Sequence, residues 1–165
     1  PMTLRSAAQA AVARLALPAP AGPQGGLSQR SNSAALAVEA ALAAVAACAE
    51  RNFRVAATVV DRHGIVKAMV RADGAGPHTV DASRGKAYTS ASARNPTTGM
   101  LTAVRENPNA TTLPFIPGFL PLGGGVPIRA GEEVVGAIGV GGAPSGLIDE
   151  ECANAAIARI RDRLN

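Results

Sequence analysis

Apolar residues recur along this chain with two different periods, and the alternation between them predicts its elements. Thr3–Leu17 sets Leu4, Ala8, Ala11, Val12 and Leu15 at helical spacing. Leu17–Asn32 breaks that pattern with Pro18, Pro20, Pro23 and the glycines Gly22, Gly25 and Gly26, and reads as a linker. Ser33–Arg51 predicts the first core helix, with Leu36, Leu42 and Val45 among many alanines and Ser31 or Ser33 as the cap. Phe53–Val60 is β-branched and strand-like, Asp61–Gly64 turns, and Ile65–Arg71 returns as a hairpin partner. After the break Asp73–Pro77, a helix runs from His78 to about Arg94, with Thr79 as its N-cap and Asn95-Pro96 as its stop. Thr97 or Thr98 caps a shorter helix to about Glu106, and a loop with Pro108, Pro114, Pro117 and Pro121 follows. Val126–Arg129 and Glu133–Val140 form a second hairpin, in which Pro127 confines its strand to an edge or a strand start. Asp149–Arg163 closes the chain as a helix with Ala153, Ala156, Ile157, Ile160 and Leu164 on one face.

Helix, hairpin, two helices, hairpin, helix is the order of an α+β fold: an antiparallel sheet of two hairpins flanked by helices. The 165 residues suit one folded domain over 33–165. Residues 1–32 then form an N-terminal extension: a tag remnant at Pro1-Met2, a short helix, and the Pro/Gly linker. The extension's helix is expected to dock on its own domain or on a neighbouring subunit.

Composition sharpens this picture. With no Trp, one Tyr and three Phe, the core must be built from Ala, Val, Leu and Ile, so backbone must pack close to backbone. Two of the phenylalanines, Phe115 and Phe119, share the proline loop, which leads into Gly123-Gly124-Gly125. Bare glycines there suggest either a ligand slot or tight packing. The net charge of +4 comes from dispersed arginines without basic runs or interleaved aromatics, which argues against nucleic acid. No apolar run reaches the length of a membrane span. Cys48 and Cys152 form no CxxC motif, and a cytoplasmic location is expected. No catalytic triad, HExxH helix or Walker loop is present.

The succession VVDRHG, VKAMVRADGAGPHT, RGKAYTSASARNPT, LPLGGGVPI, GEEVVGAIGVGGAP and DEECANAAI resembles the GlcG/HbpS-like family, described as haem-degrading or haem-binding. It is also similar to the C-terminal domain of some corrinoid adenosyltransferases. The likeness runs from about Ser33 to Ile160. It implies an antiparallel sheet flanked by helices, assembled into compact homo-oligomers, with haem as the ligand of some members.

A haem site needs an iron donor, a flat apolar slot and cations near the propionates. His63 lies in a hairpin turn, where exposure is expected. His78, at a helix entrance, is the candidate iron ligand. Arg84 and Lys86 follow on the same helix as partners for a carboxylate, and Phe115, Phe119 and Gly123–Gly125 are the candidate slot. Tyr88 is expected to be half-buried with its hydroxyl held by backbone, and Arg71 to pair with Asp73. The expected function is binding of haem or a related tetrapyrrole, for storage, delivery or degradation, by a soluble homo-oligomer. The rival is an enzyme acting on a small carboxylate or aromatic metabolite, with Lys86, Arg94 or His78 as acid/base or anion clamp.

Overall fold

A computed structural model describes residues 26–164; the predicted Thr3–Leu17 helix and most of the linker lie outside that range. The elements are α1 (Ala34–Ala49), β1 (Ala56–Asp61), β2 (Val66–Arg71), α2 (His78–Ala93), α3 (Thr97–Glu106), β3 (Gly125–Ala130), β4 (Glu133–Gly141) and α4 (Gly146–Ile160), with short 3-10 turns after α3 and α4. The α+β expectation holds. The four strands form one antiparallel sheet in the order β2-β1-β4-β3. Two local hairpins therefore meet through β1 and β4, and Pro127 sits on the outer strand β3, where its missing N–H costs no ladder bond.

Each hairpin turn follows from its residues. The Asp61 carboxylate accepts from the amides of His63 (2.8 Å) and Ile65 (3.0 Å), so one side chain closes the β1–β2 turn. Gly131, at φ +61°, makes the β3–β4 turn.

β1 is buried on both faces, and its alternating side chains feed two different layers. Ala57 and Val59 join Ile128, Ile138 and Val140 beneath α1 and α4, in the main apolar core. Val60 and Ala137 pack on the opposite face against Ala87 and Ala91 of α2. There the helix rides on small residues: a Cβ on Gly139 would lie 2.1 Å from the Ser83 carbonyl oxygen and 2.5 Å from the Ala87 nitrogen. Thr58 of β1 and Ser83 of α2 share a buried 2.7 Å hydrogen bond across the same seam. Close backbone approach is thus realised on the α2 side of the sheet.

α1 and α4 are capped as short polar residues allow. Ser33 Oγ accepts from the Leu36 amide (3.2 Å), and Ser145 Oγ from that of Ile148 (3.3 Å). The start of α4 lies three residues earlier than its pattern suggested, because Ser145 is the cap. α1 buries Ala37, Ala40, Ala41, Ala44 and Cys48; Leu42, expected in the core, points away from it and is 53% exposed. Thr79 and Thr97 do not cap their helices. The Thr79 hydroxyl donates to Gly76 O (2.6 Å), while Thr97 Oγ1 donates to Leu122 O (2.7 Å) and accepts from Gly125 N (2.8 Å). Arg71 holds its loop by donating to the Ala75 carbonyl at 3.0 Å, in place of the expected pairing with Asp73.

The two cysteines, 104 residues apart, form a disulfide that fastens the last turn of α1 to the second turn of α4, Cα to Cα 5.6 Å. Sequence spacing gave no sign of it, since the partners meet only through tertiary packing. Such bonds persist in oxidising surroundings and are rare in reducing cytosol, which weighs against the cytoplasmic expectation. No helix among the described residues is long and apolar enough to cross a membrane.

Candidate functional site

Beside the outer face of α2 lies an open cleft of about 440 Å³, lined by Asp81, Arg84, Gly85 and Tyr88 of the helix and by Pro117–Leu120 of the proline loop. Positions 81, 85 and 88 recur at helical spacing and so present one stripe. The loop is hung from the helix: the Leu120 amide donates to Thr89 Oγ1 at 2.7 Å. Gly85 lets it come close, since a Cβ there would touch Leu120 Cβ at 3.0 Å. Tyr88 forms the apolar floor. Gly64 and Gly118 both lie against its ring, and Phe119 meets it edge-on with centroids 6.3 Å apart and planes at 81°. Phe119 is half-buried in this arrangement.

Among the described residues, Arg84 brings the positive charge to the cleft. Its guanidinium stands 3.7 Å from Asp81, with both side chains mostly exposed, an arrangement that holds it only weakly. His78 begins α2, is exposed and does not line the cleft, standing one turn before Asp81 on the stripe that carries Tyr88. Its ring folds over Gly76, where a Cβ would lie 2.7 Å from it. His63 is exposed in its turn, as expected.

The remaining predicted site residues lie elsewhere. Lys86 points to the other side of α2 and is buried. Its ammonium donates to Asp149 Oδ2 (2.7 Å) and to the Val140 carbonyl (2.9 Å), so it is unable to meet a ligand carboxylate without breaking both. Asp149 also accepts from the Ala143 amide at 3.0 Å. Burial pushes the Asp149 carboxyl above its ordinary value, and the Lys86 ammonium opposes that shift. Phe115 is 80% exposed at the loop tip and does not line the cleft.

Gly123, Gly124 and Gly125 are buried as a packing seam and do not wall a slot. A Cβ on Gly125 would lie 2.3 Å from Lys86 O, one on Gly124 2.5 Å from Val140 O, and one on Gly123 2.9 Å from Thr98 Oγ1. The protein's own backbone fills the space that bare glycine leaves. Asp81, Gly85, Pro117, Gly118 and Leu120 were not singled out from the sequence. Their advance signals were Gly85, a glycine in the middle of a predicted helix, and the proline loop that holds Pro117, Gly118 and Leu120.

Cleft, aromatic floor and guanidinium suit a flat anionic ligand with an apolar body. Among the described residues, no three His, Cys, Asp or Glu side chains gather as a metal site. Residues 33–158 match the model of the family described as haem degrading protein HbpS-like. The chain belongs to that family. A double mutant of Streptomyces reticuli HbpS is 39% identical over 88% of this chain and 99% of its own, with a TM-score of 0.77. Klebsiella pneumoniae protein ORFY is 27% identical over 84% of this chain and 96% of its own, TM-score 0.78. The fold is shared with PduOC, solved as a haem complex: 23% identity, 78% and 94% coverage, TM-score 0.69. No curated protein matches significantly.

Proposed function

We propose that this HbpS-like chain binds haem in the cleft between α2 and the proline loop, as a homo-oligomer that stores or delivers it. The observation that carries the reading is the cleft itself, an aromatic floor beside a weakly held guanidinium in a chain of a haem-degrading family. The residues fit the group. Tyr88, Phe119 and Leu120 supply apolar surface for a porphyrin face, Arg84 supplies a partner for a propionate, and His78, outside the lining but on the same helical stripe, supplies the nearest imidazole on α2. Bound haem would bring iron redox chemistry to this surface; the chain's own contribution is to orient the ring and shield one face from water. Phe115, Ile116 and Leu122 are exposed on the same loop and support self-association next to the cleft. Of the three residues offered to the small-metabolite enzyme, Lys86 is committed to Asp149, which leaves Arg94 and His78 to that reading.

Titration with hemin, followed by the Soret band, tests this. The native chain should shift and sharpen the band at stoichiometric hemin. His78→Ala should change the band's position, and Arg84→Gln should weaken binding about tenfold, the scale of one lost charged hydrogen bond. Spectra of mixture and free hemin that superimpose would refute the proposal.

A further inference from the structure

α1 is apolar on every side: of its sixteen residues only Glu39 is charged. A helix of that kind is ordinarily covered all round. One side packs on the sheet and α4. The opposite side carries Ala35, Val38, Leu42 and Ala46, which with Glu39, Ala43 and Arg159 line an open groove of about 410 Å³. Val38 is 47% and Leu42 53% exposed, so a stripe some three turns long lacks a cover within residues 26–164.

We infer that this groove is the docking site of the chain's own N-terminal segment, Leu4–Leu15, lying antiparallel to α1. The segment repeats Leu4, Ala8, Ala11 and Leu15 at spacings of four, three and four; the groove repeats Ala35, Val38, Leu42 and Ala46 at three, four and four. Small residues on both sides let two helices approach closely, with Leu4 and Leu15 offered to the gaps around Val38 and Leu42. The lengths agree, since Leu4–Leu15 and Ala35–Ala46 are equally long and each spans about 18 Å as helix.

The chain also emerges in the right place. Arg30 donates to the Leu164 carbonyl at 2.7 Å, and Arg163, next to Leu164, donates to Glu39 on the groove's rim at 2.7 Å. From Leu17 to Arg30 the Pro/Gly linker can reach about 40 Å, more than an antiparallel return needs. Tethering gives the segment an effective concentration in the millimolar range, an advantage that a second copy of the groove lacks.

Cross-linking in the full chain tests this. Leu42→Cys combined with Ala8→Cys or Ala11→Cys should, on mild oxidation, give a faster-migrating monomer whose peptide map joins the two introduced thiols. Leu42→Cys with Lys67→Cys, on the far edge strand, should not. Dimers joined through position 42 would assign the groove to a second copy and overturn the inference, as would no cross-link above the Lys67→Cys control. Deleting residues 1–17 should raise binding of a hydrophobic dye several-fold, and Leu42→Ser should cancel the rise. An unchanged dye signal on deletion would equally overturn it.

Discussion

Replacing Lys86 by methionine separates a structural role from a ligand-binding one. The ammonium lies 2.7 Å from Asp149 Oδ2, and each side chain is 3% exposed. At that separation and an effective dielectric of about 20, the gross attraction is about 6 kcal/mol, much of it offset by removing two ions from water. Taking away the cation alone leaves a buried carboxylate facing only backbone amides, at a cost of about 3–5 kcal/mol. The pH dependence has a definite sign. Burial raises the native Asp149 carboxyl above its unfolded value, so its favourable contribution is complete below the unfolded pKa and is lost as pH rises through the native one. Without Lys86 the native value climbs further. The destabilisation of Lys86→Met should therefore be largest at alkaline pH and shrink on acidification, and adding Asp149→Leu should recover most of it. Urea unfolding midpoints across the pH range measure this, with hemin titration of the folded protein alongside. A variant with native stability at every pH would refute the argument. So would one that loses hemin binding while its unfolding midpoint is unchanged, which would return Lys86 to the ligand site.

Removing the disulfide as Cys48→Ala with Cys152→Ala opens a loop of 104 residues, worth up to about 4–5 kcal/mol in chain entropy; the denaturant midpoint should fall accordingly, while an unchanged midpoint would show that packing of α1 on α4 suffices. Gly139→Ala should cost about 1–3 kcal/mol or more by driving a methyl into the Ser83 carbonyl, read as a drop in melting temperature. A melting temperature equal to the native one would mean that α2 can lift off the sheet freely.

The elements were legible because local chemistry writes them. Asp61 and Gly64 make one turn, Gly131 the other, and the alanine-rich periods make α1 and α4. The meeting of β1 with β4 was not legible, since it joins hairpins separated by α2, α3 and the proline loop that carry no mutual mark in sequence. The same holds for the disulfide. Within the site, the helix carrying His78 and Arg84 was identified, but Lys86 was assigned to its open face. Its position two residues from Arg84 turns it about 200° round the helix, toward Asp149, a residue that sequence offered only as the start of the closing helix. The glycine triplet misled for a related reason. Bare backbone invites close approach, and sequence does not say whether the visitor is a ligand or the protein itself.

The glycine and alanine track beneath α2 has one more consequence. A helix bedded largely on glycine, alanine and peptide groups has few long side chains beneath it to repack, so its height above the sheet is closely fixed. The residues on its far side, from His78 to Tyr88, inherit that fixed datum. Substitutions in the proline loop can then reshape the opposing wall of the cleft while the helical wall stays where it is, which leaves the loop as the part of this fold most open to a change of ligand.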